Sequence, residues 1–189
     1  MRPPPTASAW IRAPCCVPCS TRTRNRRPSD HTRRIDAARR VGERFGWKIS
    51  REGAAFLPES LPRWKPFPDT NDALTRLSAA GYELGILSNV DDDLLAGTRR
   101  QLAVPFSLVV TAEQVRSYKP AAAHFTTARE RVGTRRWLHA AQSYFHDVTP
   151  AVTHRIPVAW INRKHDPLTG VARPDREFRS LTELADWLR

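Results

Sequence analysis

No apolar run in this 189-residue sequence reaches the roughly 20 residues needed to cross a bilayer, so a membrane role is not expected. The N-terminus opens Arg-Pro-Pro-Pro and lacks the apolar core of a secretion signal, which points to a cytoplasmic protein. Cysteine is almost absent. Cys15, Cys16 and Cys19 contain a C-x-x-C, but the nearest further ligand, His31, lies across an arginine-rich gap. A structural zinc site needs a fourth ligand at suitable spacing, so the three read as free thiols and no metal is expected. Acidic charge is scarce in one place only. Residues 1–50 carry twelve Lys/Arg against three Asp/Glu, whereas residues 51–189 carry nineteen against sixteen, which together make the formal charge of +12. Such basicity would suit nucleic acid if it lay on one face. Here it belongs to a tail, and nucleic acid is not expected as a partner.

The chain divides into three parts. Residues 1–30 hold six of the sixteen prolines and no helical or strand periodicity, and read as a disordered Arg/Pro-rich tail. Across 31–68 the pattern changes. Ile35, Ala38, Val41 and Phe45 recur at helical spacing up to Gly46, and the stretch Ala54 to Pro68, rich in proline and aromatics, suits a connecting loop with one short helical turn. From residue 69 to 189, apolar strands alternate with helices. A helix Asp69–Ala80, capped by Asp69 or Thr70, is followed by a strand Tyr82–Leu87, a helix Asp91–Leu102, a strand Phe106–Thr111, a helix Ala121–Val132, strands Trp137–Gln142 and Pro157–Ile161, and a helix Leu181–Leu188. Alternation of this kind implies an α/β fold, a doubly wound, Rossmann-like parallel sheet with helices on both faces. Ligands of such sheets sit beyond the carboxyl ends of the strands, so polar residues there are candidates for function.

Three strand ends carry unusual polar groups. Ser88 and Asn89 directly follow Leu84-Gly85-Ile86-Leu87. Lys119, in Ser117-Tyr118-Lys119-Pro120, opens a helix, where the helix dipole disfavours a cation and an anionic neighbour is called for. Asp147 lies beyond the third strand and its Gln142-Ser143, and could be that neighbour. Each also has an ordinary reading, as turn former, solvated charge or cap.

In this order the segments Ser88-Asn89, Tyr118-Lys119-Pro120 and Gln142-Ser143-Tyr144-Phe145-His146-Asp147 resemble the haloacid dehalogenase-like hydrolase superfamily, and its 2-haloacid dehalogenase-like branch in particular. Pro66-Phe67-Pro68-Asp69, Thr111-Ala112-Glu113, Pro150-Ala151 and Trp160-Ile161-Asn162-Arg163 match as well, so the resemblance covers about residues 33–189. It implies a Rossmann-like core under a helical cap, here a remnant over 31–68, and hydrolysis through an aspartyl ester. By the same resemblance Ser88, Asn89 and Ser143 would bind a small anionic substrate. Lys119 would neutralise its charge, and Asp147 would orient the lysine or help to place water.

One part of the family pattern is missing. The superfamily begins with a strand ending in Asp-x-x-Gly-Thr, which supplies the nucleophile and lies between the strands ending here at Leu87 and Gln142. Upstream of Ser88 the only aspartates are Asp30, Asp36, Asp69 and Asp72; none follows an apolar strand, and residues 1–30 read as a misread start or shifted frame. A truncated chain with its central first strand missing is the expectation, marginally stable because two sheet edges lose their partner. No cofactor is expected. Magnesium would enter only with phosphatase-like chemistry, for which Asp147 stands alone, without a neighbouring acid. The leading reading is a hydrolase of small 2-halo acids or similar anions, inactive as given. The alternative is a catalytically dead, small-anion-binding or regulatory module of the same fold.

Overall fold

The computed structural model describes residues 28–189, so the tail expected over 1–30 and the cysteine trio fall almost wholly outside the described residues. Helix α1 (Asp30–Arg44) begins slightly earlier than its apolar pattern suggested. Ser29 caps it by accepting the Thr32 N–H at 3.2 Å, and Asp30 in the first turn suits the positive end of the helix dipole. Ile35 and Ala38 pack with Ala54 against Ile49, Ala55 and Leu57. Val41 and Phe45, expected on the same stripe, are instead 54% and 68% exposed. Length explains this. The partners of α1 are the short helices α2 (Arg51–Ala54) and α3 (Phe56–Ser60), and α3 spans only about 8 Å against about 22 Å for α1, at 1.5 Å per residue.

These two helices and a 3₁₀ turn (Leu61–Arg63) stand where a connecting loop with one short helical turn was expected over 54–68. Ser50 caps α2 by accepting the Gly53 N–H at 3.0 Å, and Pro62 stands in the first turn of the 3₁₀ segment, where its missing N–H leaves no bond unmade.

The core alternates as predicted, with shorter strands. Helix α4 (Thr70–Ala79) leads to β1 (Gly85–Ser88), α5 (Asp92–Arg99), β2 (Leu108–Thr111), α6 (Ala112–Val115) and α7 (Ala123–Val132). Then come β3 (His139–Ala141), a π-helical turn (Tyr144–Val148), α8 (Thr149–Thr153), β4 (Val158–Ile161), β5 (Arg176–Phe178) and α9 (Leu181–Trp187). Every strand pair is parallel. All four residues of β4 are buried, and they divide by alternation. Val158 and Trp160 join Phe125 of α7, Val148, Ala151 and Ile156, while Ala159 and Ile161 join Leu184 of α9. One strand feeding two apolar clusters is the mark of a sheet covered on both faces. Strand β5 went unread because Arg176-Glu177-Phe178 holds one apolar residue; backbone pairing to β4 holds it.

Among the described residues the strands form two sheets, β1-β2 and β3-β4-β5, so that β1 and β3 are both edges. The Leu84 carbonyl accepts from Ser107 N–H at 2.9 Å on the β2 side, and alternation therefore turns the Leu87 carbonyl toward the unpaired edge. Asp69 ends before α4 without making a cap bond. Its Oδ2 accepts from Arg163 Nη2 at 3.0 Å and from Leu181 N–H at 2.7 Å, which ties the start of α4 to the start of α9.

Candidate active site

Side chains from three strand ends meet at the carboxyl edge of β1. The Asn89 carboxamide reads the backbone of Lys119 at both ends: its Oδ1 accepts the Lys119 N–H at 2.6 Å, and its Nδ2 donates to the Lys119 carbonyl at 3.0 Å. This fork holds the loop that follows α6, whose left-handed Arg116 (φ 51°) turns the chain toward β1. The Lys119 side chain then runs inward, 8% exposed. Its Nζ donates to the outward-turned Leu87 carbonyl at 2.8 Å and to Asp147 Oδ1 at 2.5 Å.

Asp147 sits on the π-helical turn after β3, a local geometry that often marks functional positions. Its side chain is 8% exposed, and Oδ1 also meets His139 Nε2 of β3 at 2.9 Å. Burial pushes the Asp147 carboxyl upward, but the hydrogen bond with His139 and the charge of Lys119 outweigh burial and hold it below the usual carboxylate value. Asp147 is therefore ionised at neutral pH. A buried carboxylate and ammonium are tolerable only as a pair with their other polar partners met, which is what the Leu87 carbonyl and His139 provide.

Two valences of this cluster are left over. An ammonium has three N–H donors, of which two are accounted for, and among the described residues neither the third donor nor Asp147 Oδ2 has a protein partner. Ser88 adds a half-buried hydroxyl, likewise without a partner among the described residues, while its carbonyl meets His124 Nε2 at 3.0 Å. His124 is fully buried, and burial pushes its pKa down, so the ring is neutral. A neutral ring beside a carbonyl donates through Nε2, which leaves Nδ1 bare and unpartnered.

The structure thus brings Ser88, Asn89, Lys119 and Asp147 together. Asn89 faces the lysine backbone with both ends of its amide. Ser143 stands apart in its bonding: its hydroxyl accepts the His146 N–H at 3.1 Å and pairs with His146 Nδ1 at 3.0 Å, capping its own turn. Sequence reasoning missed His139 and His124. For His139 the signal was there, a titratable side chain inside the apolar stretch Trp137 to Gln142.

Comparison with known proteins finds likeness over much of the chain. The family described as "Haloacid dehalogenase-like hydrolase" matches residues 54–138. The (S)-2-haloacid dehalogenase of Pseudomonas putida is 29% identical over 157 residues, covering 81% of this chain and 69% of the relative. Among solved structures, an L-2-haloacid dehalogenase superposes with a TM-score of 0.73 at 25% identity, covering 82% of this chain and 70% of that one. The L-2-haloacid dehalogenase of Xanthobacter autotrophicus superposes equally, TM-score 0.73, at 20% identity over 82% of this chain and 74% of that one.

Proposed function

Starting from the premise that the chain belongs to the haloacid dehalogenase-like hydrolase superfamily, in its 2-haloacid dehalogenase branch, we propose that it receives a small 2-halo acid or a similar small anion at the carboxyl edge of β1. The observation that carries this reading is the buried Lys119 ammonium with one N–H to spare among the described residues. A spare cationic donor suits the carboxylate of a short acid, since charge-assisted bonds of this kind are the strong ones, and Ser88, the residue that follows the Leu87 carbonyl met by Nζ, offers a half-buried hydroxyl.

In the aspartyl-ester route a carboxylate displaces halide from carbon 2, forming an ester and releasing X⁻. Water then attacks the ester carbonyl, which regenerates the carboxylate and yields the 2-hydroxy acid and a proton. Lys119 balances the charge gathered in the first step. Asp147 Oδ2 is the base in reach of the second, where it accepts the proton of the water. The donor set fits an anion better than magnesium, because the carboxylate that meets Lys119 already faces Lys119 and His139 through Oδ1.

What these residues lack is the displacing carboxylate. Of the four aspartates before Ser88, Asp30 and Asp36 lie on α1, Asp72 lies on α4 and Asp69 is bound to Arg163 and Leu181. None stands at a strand end. The 189-residue chain is therefore expected to bind the anion without turning it over, which on its own is the behaviour of a small-anion-binding module. Fusing an N-terminal segment with an apolar strand ending in Asp-x-x-Gly-Thr separates the two readings. Halide release from 2-chloropropionate by the extended chain supports a hydrolase, and binding without release in both forms supports the binding module.

A further inference from the structure

We infer that His139 is a positioning residue of this site, which together with Lys119 pins Asp147 Oδ1 and so reserves Oδ2 for the hydrolytic water. The inference rests on the reading of Lys119 and Asp147 as the anion site, and assigns the two carboxylate oxygens different tasks. Oδ1 takes two donors, Lys119 Nζ at 2.5 Å and His139 Nε2 at 2.9 Å, whereas Oδ2 has no partner among the described residues. An ionised carboxylate can only accept, so His139 must carry its proton on Nε2.

The ring cannot easily leave this post. His139 is a strand residue, in register with Val158 of β4, and its ring meets Phe125 edge-on at 5.3 Å with an interplanar angle of 76°. Its side chain is 10% exposed. With one donor alone a carboxylate can rotate about its Cβ–Cγ bond and exchange oxygens. Two donors converging on one oxygen from separate elements, the α6–α7 loop and β3, remove that freedom. The other charged or titratable groups around Asp147 are Lys119 and the neutral, fully buried His124 of α7, and neither can replace the His139 bond from its own position.

The test is to follow the Asp147 carboxyl carbon by NMR through an acid titration, assigned by its loss in Asp147→Asn, in the full chain, in His139→Leu and in His139→Gln. Removing a donor that favours the charged form makes proton binding tighter, by about tenfold for one charge-assisted bond. His139→Leu should therefore protonate at higher pH than the parent chain. His139→Gln, which can still present an Nε2 donor, should restore much of the difference. Should His139→Leu fail to fold, the ring nitrogens of the unaltered chain decide: a protonated Nε2 with a bare or protonated Nδ1 is expected, and a bare Nε2 overturns the inference. An Asp147 titration unmoved by His139→Leu overturns it as well. Both readouts are independent of ligand, so failure here is distinct from failure of the chain to bind 2-chloropropionate, which would sink the anion site itself.

Discussion

Replacing Asp147 with Asn removes one charge from a pair in which both side chains are only 8% exposed, and leaves the Lys119 ammonium facing a neutral amide and the Leu87 carbonyl. Breaking a buried pair from one side costs about 3 to 5 kcal/mol, since the surviving charge stays desolvated. Whole domains have only about 5 to 15 kcal/mol to lose. For a chain of this size about 2 to 4 °C of melting temperature goes with each kcal/mol, so a fall on the order of 10 °C is expected. Lys119→Met should cost less, because Asp147 would keep the His139 bond. In Lys119→Met/Asp147→Asn the penalty should shrink below the sum of the two single changes, with a coupling of about 1 to 3 kcal/mol, since no orphaned charge remains. Urea unfolding followed by circular dichroism measures all three. Single changes that cost under about 1 kcal/mol and add without coupling are the behaviour of an exposed pair, and would refute the burial argument.

Acid should weaken the fold through two carboxylates. Asp147 and Asp69 are both held below the ordinary 3.8, so their stabilising contribution is complete above that value and is lost as pH falls through the lower folded values, whereas Asp30, pushed up mainly by burial, acts in the opposite sense. Urea midpoints between neutrality and pH 3 check the sign, and Asp69→Asn should flatten part of the decline. Asn89→Ala removes both bonds to the Lys119 backbone, each worth about 0.5 to 1.5 kcal/mol, and should weaken anion affinity together with stability; an unchanged affinity would mean that the loop holds its lysine without the fork. Gly97 of α5 lies so close to the 3₁₀ turn that an added Cβ would sit 2.6 Å from Pro62 Cβ and 3.2 Å from its Cα. Gly97→Ala should therefore destabilise by about 1 to 3 kcal/mol, despite alanine's helix propensity, and a stabilised variant would show that this contact gives way.

The alternation of apolar runs was enough to find β1 to β4 with α5 and α7, because these stretches are apolar and β4 is buried along its whole length, whereas the short helices α6 and α8 went unread. Strand β5 escaped because its partner β4 does the burying, and Arg176 and Glu177 are free to face water. The helices over 51–63 were read as no more than one short helical turn, for another reason. Prolines at 58 and 62 look like breakers in sequence, yet both stand near the starts of short helical segments, where they are tolerated. Periodicity placed Val41 and Phe45 on a packing stripe but could not show that α2 and α3 are too short to reach them. Within the site, Ser88, Asn89, Lys119 and Asp147 stood out as polar groups following strands. His139 did not, because its place inside an apolar stretch was a signal without a partner until the π-helical turn folds Asp147 back beside it.

The proposed function requires an anion site without the displacing carboxylate. Titrating 2-chloropropionate into the purified chain by calorimetry, while following halide in the same samples, tests it directly. Saturable binding that is lost in Lys119→Ala is expected, with no halide released above buffer. Halide release that disappears in Lys119→Ala would contradict it, since a nucleophile would then have to be present among these residues.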